Sequence, residues 1–309
     1  MTSDRNQGAS TNTIQQVAGQ KTDYFPYLLF APVLIVLLAF FAFPMIRLLL
    51  LSVQSGRILR INEVDNFVGF KHYVHIFTHS QYLNQFYHTL VYIIGCVVGS
   101  YTLGLATAIL LNESYRGRSV TRVLVVLPWA VALTVTCLSW IWILDFQFGI
   151  LNVVLQETGL IKERIGWLHD RTWAMFSVVL VTTWRTYPFT GLMLLAGLQN
   201  IPNYLYDAAE IDGAGTLRKF WYVTLPQLRS VSNVVLLILS IWSLRRISYV
   251  MMLTGGGPNR ATETLALGIY DTAFKSFEFG RASALGVVMV FITIIYVIFY
   301  LKVTRKTEI

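Results

Sequence analysis

Long apolar runs, separated by shorter polar stretches, dominate this chain from about residue 27 onward. A helix crosses the hydrocarbon core of a bilayer with about 20 predominantly apolar residues. The pattern therefore predicts an all-α membrane protein with six transmembrane helices. The predicted spans are about Tyr27–Val53, Tyr87–Leu111, Val120–Leu144, Trp173–Leu198, Val231–Leu253 and Ala282–Val303.

Composition and charge agree with a membrane protein. Of the 309 residues 55% are hydrophobic and only 13% are charged, about half the share that is usual in soluble domains. The formal net charge of +8 would suggest nucleic acid as a partner of a soluble protein. Here the basic residues lie mostly at span ends, where they face lipid headgroups. Cys96 and Cys137 fall inside apolar runs and are interpreted as small buried residues.

The N-terminal segment differs from the rest of the chain. Residues 1–23 are polar and contain no aromatic residue, which predicts a disordered tail before a transmembrane domain over residues 24–309. A signal peptide is not indicated, because the first apolar run begins late and is too long. With an N-terminus in the cytoplasm, the inner segments carry slightly more Lys and Arg than the outer ones. We therefore expect both termini to be cytoplasmic.

Prolines and glycines modify this outline. Pro44 is expected to kink the first span, whereas Pro128 and Pro188 lie inside the third and fourth spans, which are expected to continue past them. The small residues Gly95, Gly99 and Gly104 give the second span a face that another helix can approach closely.

A polar stretch separates the fourth and fifth spans. Pro202 suits the first turn of a short helix, and Gly213 and Gly215 should end or bend that helix. Thr216 can cap a second short helix. Two short helices at an angle would give a soluble partner a surface to bind, whereas the alternative is an ordinary loop between spans.

The motifs in this stretch resemble a known family. They follow the pattern of the "EAA" loop found in permease subunits of binding-protein-dependent ABC importers. The matching residues are Asp207-Ala208-Ala209, Asp212-Gly213-Ala214, Phe220 and Leu225-Pro226. The carbohydrate branch, of the maltose and glycerol-phosphate type, is similar in further segments. Those segments are "VGFKHYVHIF" (68–77), "LPWAV" (127–131), "FGILN" (148–152), "RTYPFTGLMLLAGLQNIP" (185–202) and "LTGGGP" (253–258).

The resemblance implies a type I ABC importer permease fold, with residues 200–226 as a cytoplasmic coupling loop that docks on an ATP-hydrolysing subunit. The residues implied in coupling are Asp207, Ala208, Ala209, Asp212, Gly213, Ala214, Phe220, Leu225 and Pro226. Asp207 stands where the family more often has Glu, so its reach toward the partner is shorter.

The partners and location also follow from the resemblance. They are a second homologous permease, two ATP-binding cassette subunits, an extracellular solute-binding protein and the lipids of a bacterial or archaeal cytoplasmic membrane. The sequence contains no G-x-x-x-x-G-K-[ST] motif that would cradle ATP phosphates. We therefore expect a non-catalytic transport subunit that binds no cofactor, with ATP and Mg on the ATPase partner and no nucleic acid involved.

The expected cargo is a carbohydrate, with oligosaccharides and acidic saccharides as candidates. Aromatic residues beside arginines within the spans mark a candidate substrate path: Trp184, Arg185, Tyr187, Trp242, Arg245, Arg246 and Tyr249. Charged residues at membrane depth usually face a cavity or a partner, and the arginine fork favours acidic groups. In the carbohydrate branch, a Phe-Asp or Phe-Asn pair often stands where this chain has Ile247-Ser248. This difference weakens the expectation that the chain has the family's site for a neutral sugar. The arginines could instead pair with acids or carbonyls of a partner subunit.

Two other classes of function are less favoured. A membrane enzyme would need a cluster of His, Asp or Glu at one membrane face, which the five histidines do not supply. An ion-coupled secondary transporter of a small polar solute would need acidic residues well inside a span, and the sequence offers none there. His72, His75 and His79 share a helical face that could hold a metal. Without a cysteine or a carboxylate cluster to complete such a site, the polar side of a surface helix is the better interpretation, and no metal or catalytic residue is assigned.

Overall fold

The structure is a computed structural model that describes residues 25–55 and 66–305. The chain divides into two compact units, one reaching Leu50 and the other starting at Leu51. The tail predicted over residues 1–23 lies outside the described residues.

Helices and loops make up the described residues apart from one isolated β-bridge, between Gln54 and Phe67, which confirms the all-α fold class. The α-helices are α1 (Phe25–Leu37), α2 (Phe43–Ser52), α3 (Lys71–Thr78), α4 (Ser80–Asn112), α5 (Arg118–Ala130), α6 (Leu133–Ile143), α7 (Ile150–Glu157), α8 (Ala174–Gln199), α9 (Asn203–Ile211), α10 (Thr216–Lys219), α11 (Leu225–Gln227), α12 (Arg229–Arg245), α13 (Ser248–Leu253), α14 (Leu265–Tyr270) and α15 (Phe279–Arg305). The turns Leu38–Ala42, Phe220–Thr224 and Asp271–Lys275 are π-helical.

The first unit contains a distorted helix. Its distortion is a π-helical turn over Leu38–Ala42, where the N–H of Phe43 donates to the carbonyl of Leu38, rather than the kink expected at Pro44 itself. Pro44 has no N–H to donate to the carbonyl of Phe40, so the hydrogen-bond ladder is interrupted just before the proline. Leu29–Ser52 remains long and apolar enough to cross a membrane.

The second unit is built around α4 and α8. Three glycines of α4 lie against α8 so closely that an added Cβ at each would be 2.5–2.9 Å from a side-chain atom of α8. The contacting pairs are Gly95 with Val179, Gly99 with Thr183, and Gly104 with Thr190. In a bilayer, helices gain little from the hydrophobic effect, and close backbone approach supplies the packing instead. The small-residue face predicted from the sequence is the face on which α8 packs.

Two of the predicted spans are not continuous helices, which corrects the third and fifth predictions. The third is divided between α5 and α6 at a bend of 94°, because Val131 and Ala132 are both extended, with ψ of 137° and 140°. The fifth is interrupted between α12 and α13, where Arg246 is extended with ψ of 95°. Irregular backbone at membrane depth is tolerated only where protein buries it or where it lines a water-filled cavity.

Other boundaries also moved. Helix α4 begins at Ser80 rather than near Tyr87, and its 33 residues are more than a bilayer requires. Helix α15 begins at Phe279 rather than near Ala282. Of the three histidines assigned to a surface helix, His72 and His75 lie on the short helix α3, and His79 is its C-cap.

By length and composition, the described residues contain three helices able to cross a membrane, or five if each bent pair counts as one. Helix α8 is not among them, although its 26 residues would reach about 39 Å. It carries Arg185 and a series of buried threonines, and it is largely covered by other helices. The threonines are compatible with this burial, because they face other helices of the protein.

Candidate functional site

The loop between α8 and α12 begins with α9, whose C-terminal end is closed by two backbone hydrogen bonds. The N–H of Gly213 donates to the carbonyl of Glu210 at 3.0 Å, and that of Ala214 donates to the carbonyl of Ala209 at 2.8 Å. This pair of bonds is a Schellman motif, in which the first residue after the cap is left-handed. Gly213 has φ of +77°, which glycine adopts without the penalty that a Cβ brings. The spacing of Ala209 and Gly213 in the motif is thus set by helix termination.

Helix α10 follows at once and is tied to α9. Its N-cap is Gly215, with ψ of 172°, and no side chain caps it, so the predicted capping role of Thr216 is wrong. Thr216 is already the first helical residue and lies one position too late to cap. Pro202 likewise is the N-cap of α9 instead of a residue in its first turn. Lys219 Nζ lies 2.6 Å from Glu210 Oε2, and this hydrogen bond lowers the pKa of the Glu210 carboxyl.

An elbow joins the two short helices to α12. Its first part is the π-helical turn over Phe220–Thr224, which is wider than an α-helix. The hydroxyls of Tyr206 and Thr224 lie 3.2 Å apart. Helix α11 carries Pro226 in its first turn, and the segment from Thr216 to Gln227 meets α12 at 67°. The hydroxyl contact links α9 to the elbow, so the two short helices and the start of α12 are connected by side chains as well as by the backbone.

The structure brings the predicted coupling residues together on this two-helix loop. Exposed members are Asp207, Ala208, Asp212, Gly213 and Pro226, and half-buried members are Ala209, Ala214, Phe220 and Leu225. Apolar side chains between and beside them are also open: Ile211 is 87% exposed, Leu217 73% and Tyr222 80%. A group of this kind on one short loop is typical of a surface that a protein partner covers.

In the candidate substrate path, Arg185 on α8 is held by contacts within this chain. Its Nη2 and Nε donate to the carbonyl of Val131 at 2.9 and 3.2 Å, and its Nη1 donates to the Tyr249 hydroxyl at 3.3 Å. Val131 is the C-cap of α5 at the break, where a carbonyl lacks its helical partner. Arg185 therefore fastens the α5–α6 break to α8 and to α13.

Arg246 lies at the second break, between α12 and α13, and donates fewer hydrogen bonds than Arg185 does. Its Nη1 donates to Thr186 Oγ1 at 3.0 Å, and its guanidinium carbon lies 5.5 Å from the Trp242 ring centroid and 5.4 Å from that of Tyr249. These distances are within the range of cation–π attraction. Thr186 was not among the predicted residues, and its place beside Arg185 in sequence is the one signal that could have identified it.

The remaining predicted residues of the substrate path differ in burial and in their contacts. Trp184 is half-buried and packs edge-on against Trp140 at 5.6 Å between ring centroids. Tyr187 is half-buried and Arg245 is exposed. Trp242 also packs against Phe189, at 4.8 Å between centroids. The structure thus groups Arg185, Arg246, Trp242 and Tyr249, with Trp184, Tyr187 and Arg245 around them.

Two of the segments that resemble the family, "FGILN" and "LTGGGP", shape loops through hydrogen bonds within the chain. In "FGILN", the N–H groups of Phe148 and Gln147 both donate to Asp145 Oδ1 at 2.8 Å and hold the pKa of that carboxyl below its usual range. Asn152, 1% exposed, then binds the backbone of Ile165 through both ends of its amide. The motif therefore organises the loop between α6 and α8.

In "LTGGGP", Gly255 and Gly256 have φ of +59° and +89°. The Thr254 hydroxyl meets the Thr262 hydroxyl at 2.7 Å, and Thr262 donates to the carbonyl of Gly257 at 2.8 Å. A Cβ on Gly256 would lie 2.9 Å from Leu267. Backbone shape accounts for these glycines. Across the described residues, no group of three or more His, Cys, Asp or Glu could hold a metal ion.

Sequence comparisons identify the family. Residues 100–309 match the family described as binding-protein-dependent transport system inner membrane component. The sulfoquinovosyl glycerol transport system permease protein of Agrobacterium fabrum is 34% identical over 91% of this chain and 90% of that protein. The trehalose/maltose transport system permease protein of Thermococcus litoralis is 33% identical over 90% of this chain and 93% of that protein.

Solved structures share the fold. A chain of a bacterial ABC transporter involved in the import of the acidic polysaccharide alginate superposes with a TM-score of 0.79 at 22% identity, covering 96% of this chain and 99% of that chain. This likeness concerns the fold alone. The family match covers more than half of the chain, and the relatives align over about nine-tenths of it. The chain therefore belongs to the inner membrane components of binding-protein-dependent transport systems, as an ABC transporter permease.

Proposed function

We propose that the chain is the permease subunit of an ATP-driven importer that translocates a carbohydrate delivered by an extracellular solute-binding protein. The observation that carries this proposal is the two-helix loop over residues 200–226, with its Schellman-closed helix, its exposed Asp207 and its exposed apolar side chains. A loop of this shape suits the docking of an ATP-hydrolysing subunit, whose conformational change must be transmitted to the permease.

The carbohydrate assignment draws on the relatives. Those named above are permeases of sulfoquinovosyl glycerol and trehalose/maltose transport systems, and another relative, of Yersinia pestis, belongs to an sn-glycerol-3-phosphate transport system. Aromatic side chains grouped with arginines in α8, α12 and α13 are compatible with such a cargo. Rings stack on the apolar face of a sugar, while guanidinium groups donate hydrogen bonds to its oxygens.

The loop is assigned to coupling with the ATPase. In this proposal two ATP-binding cassette subunits bind ATP and Mg, and one of them receives the loop of this chain. A second, related permease completes the pathway, and this chain itself binds no cofactor. Both termini and the coupling loop lie in the cytoplasm, and the α6–α8 and α13–α14 loops face outward toward the solute-binding protein.

Two substitutions in the loop test the proposal. Asp207→Lys reverses an exposed charge, and Gly213→Pro removes the N–H that donates to Glu210 and imposes a negative φ. In proteoliposomes containing the whole importer, either change should reduce ATP-dependent uptake by about 10-fold or more. Asp207→Lys acts by loss of a charge-assisted contact, and Gly213→Pro acts because the C-terminal end of α9 can no longer close. Reduced co-purification of the ATPase, or ATP hydrolysis without uptake, should accompany the loss.

Glu113→Lys at the C-cap of α4 is the matched control for charge reversal, because this exposed residue lies outside the coupling loop and outside the loops proposed to face the solute-binding protein. It should leave uptake unchanged. Normal ATP-dependent uptake in both loop variants, or wild-type uptake that persists after ATP is removed, would overturn the proposal.

A further inference from the structure

The two arginines that lie near the helix breaks differ in how much of their hydrogen-bonding capacity is used. All three of the nitrogens of Arg185 donate within the chain, two to the Val131 carbonyl and one to the Tyr249 hydroxyl. For Arg246, Nη1 donates to Thr186, and no described residue accepts from its Nε or Nη2. A guanidinium carries five N–H donors in a fixed plane, so Arg246 retains an open edge.

Among the residues that the structure describes, no acid neutralises the positive charge of this region. Arg185, Arg245 and Arg246 all lie within the predicted fourth and fifth spans, yet no carboxylate of a described residue lies within 4.0 Å of any of them. Placing a charge at membrane depth is costly unless a partner or water compensates it. The region therefore favours an incoming anion over a neutral or cationic group.

The surroundings of Arg246 also give it a defined orientation. Its guanidinium lies beside both Trp242 and Tyr249, and the latter hydroxyl is bonded by Arg185. Trp242 also packs against Phe189. The α12–α13 break at Arg246 needs either protein cover or a water-filled cavity, and Trp242, Arg245 and Arg246 are not fully buried. A pre-oriented fork beside a partly open aromatic ring is suited to a ligand that has both an anionic group and an apolar face.

We propose that Arg246, together with Trp242, binds an anionic group on the transported saccharide, and that Arg185 is a positioning residue. The anionic group is a carboxylate, sulfonate, sulfate or phosphate, each of which accepts two parallel hydrogen bonds from a guanidinium. Trp242 stacks on the sugar ring that carries it. Arg185 acts through the backbone, because it holds the α5–α6 break and Tyr249 in place around the site. This inference rests on the proposed function and narrows its substrate class.

The test uses the whole importer in proteoliposomes. A shift in the melting temperature of the solute-binding protein first selects its best ligand from matched disaccharides that are neutral, end in glucuronate or carry a sulfate ester. The selected saccharide should be anionic. Arg246→Gln should reduce its uptake by about 10-fold to 100-fold, as expected for loss of charge-assisted hydrogen bonds, and Arg246→Lys should reduce it less.

The control is Lys302→Gln on α15, which removes a positive charge from an exposed position and should leave uptake within about 2-fold. Arg185→Lys should lower the maximal uptake rate of every saccharide that the importer accepts, without changing the preference for anionic over neutral ones. That split separates positioning from ligand contact.

Two results would overturn the inference while leaving the proposed function intact. One is ATP-dependent uptake of a neutral saccharide as the preferred cargo, unchanged in Arg246→Gln. The other is loss of the second permease from purified Arg246→Gln complexes, which would show that a carboxylate of that subunit neutralises the guanidinium. Absence of ATP-dependent uptake of any saccharide by the wild-type importer would instead contradict the proposed function.

Discussion

Trp167 donates its indole N–H to the side-chain oxygen of Asn152 at 3.0 Å, and both residues are buried in the loop between α6 and α8. The same oxygen accepts the N–H of Ile165 at 3.1 Å. One short polar side chain thereby holds together a segment that is otherwise packed by apolar residues against α4, α8 and α13. Loops are usually more mobile than helices, and this one is closed by a buried amide.

Replacing Asn152 should therefore loosen this loop. Asn152→Ala leaves the Trp167 and Ile165 N–H groups buried without an acceptor, at a cost of about 1–3 kcal/mol for each group. We expect a clear fall in the thermal midpoint of the purified importer. Glu157→Ala, exposed at the end of the same helix, is the control and should change the midpoint little. Equal midpoints for the two variants would contradict the assigned role.

The coupling loop allows a comparison of two glycines. Neither Gly213 nor Gly215 has an atom within 4 Å of an added Cβ, so space does not distinguish them. Their backbones do, because Gly213 has φ of +77° and Gly215 has φ of −68°. Gly213→Ala should cost about 1–2 kcal/mol of loop stability, whereas Gly215→Ala should cost little.

Hydrogen exchange at the amides of residues 213 and 214 measures this difference directly. Faster exchange in Gly213→Ala, with lower transport per ATP hydrolysed, is the expected result. If the Gly215→Ala variant were impaired to the same degree, the left-handed conformation would not be what the motif requires.

Close packing of α4 on α8 should make Gly104 intolerant of large side chains. A Cβ there would lie 2.5 Å from Thr190 Cγ2 and 3.0 Å from the backbone nitrogen of Gly191. Gly104→Leu should therefore push the helices apart, at a cost of at least about 1–3 kcal/mol for overpacking. A lower yield of monodisperse protein in detergent and a lower thermal midpoint are the expected readouts. Leu103→Ala, at the neighbouring half-exposed position, should retain nearly normal values of both.

Glu263 should make stability depend on pH. It lies in the loop between α13 and α14, is 6% exposed, and accepts a hydrogen bond from Gln85 Nε2 at 3.1 Å. Burial raises the pKa of its carboxyl, and the nearby Arg260 offsets part of that effect. Because the folded state retains the proton to higher pH than the unfolded state, its stabilising contribution is complete below the unfolded pKa of about 4.3. The contribution is lost as pH rises through the folded pKa.

Glu263→Gln removes this titration and keeps an acceptor for Gln85. Between about pH 4 and pH 8, the midpoint of the wild type should fall relative to that of the variant. Glu157→Gln serves as the exposed control, and its difference from the wild type should stay nearly constant with pH. A wild-type midpoint that rises relative to Glu263→Gln over this range would show that the sign is wrong.

Sequence reasoning succeeded best where short-range contacts decide structure. The Schellman closure of α9 joins residues three and five positions apart, so Gly213 could be recognised from the sequence as a helix end. Membrane-depth apolar runs likewise predict helices, because a bilayer leaves few other ways to satisfy the backbone. The capping role of Thr216 failed because glycine also caps helices, and the preceding Gly215 took that position.

Contacts between distant residues were beyond reach of the same reasoning. Arg185 and Val131 are 54 positions apart, and Arg246 and Thr186 are 60 apart. No local periodicity encodes such pairs. The sequence therefore identified both arginines as unusual charges within apolar segments. It could not show that Arg185 binds a backbone carbonyl, whereas Arg246 keeps open donors.

By itself, the sequence determined the all-α membrane class, the family and the loop that carries the EAA-like motif, because apolar runs and turn glycines act over a few residues. Only the tertiary structure decided that the third and fifth spans are broken, at Val131 and Arg246, and that α8, with its arginine and buried threonines, is largely covered by other helices. The physical reason is that a helix break is stable only when a partner elsewhere in the fold accepts or donates the hydrogen bonds that the helix has lost.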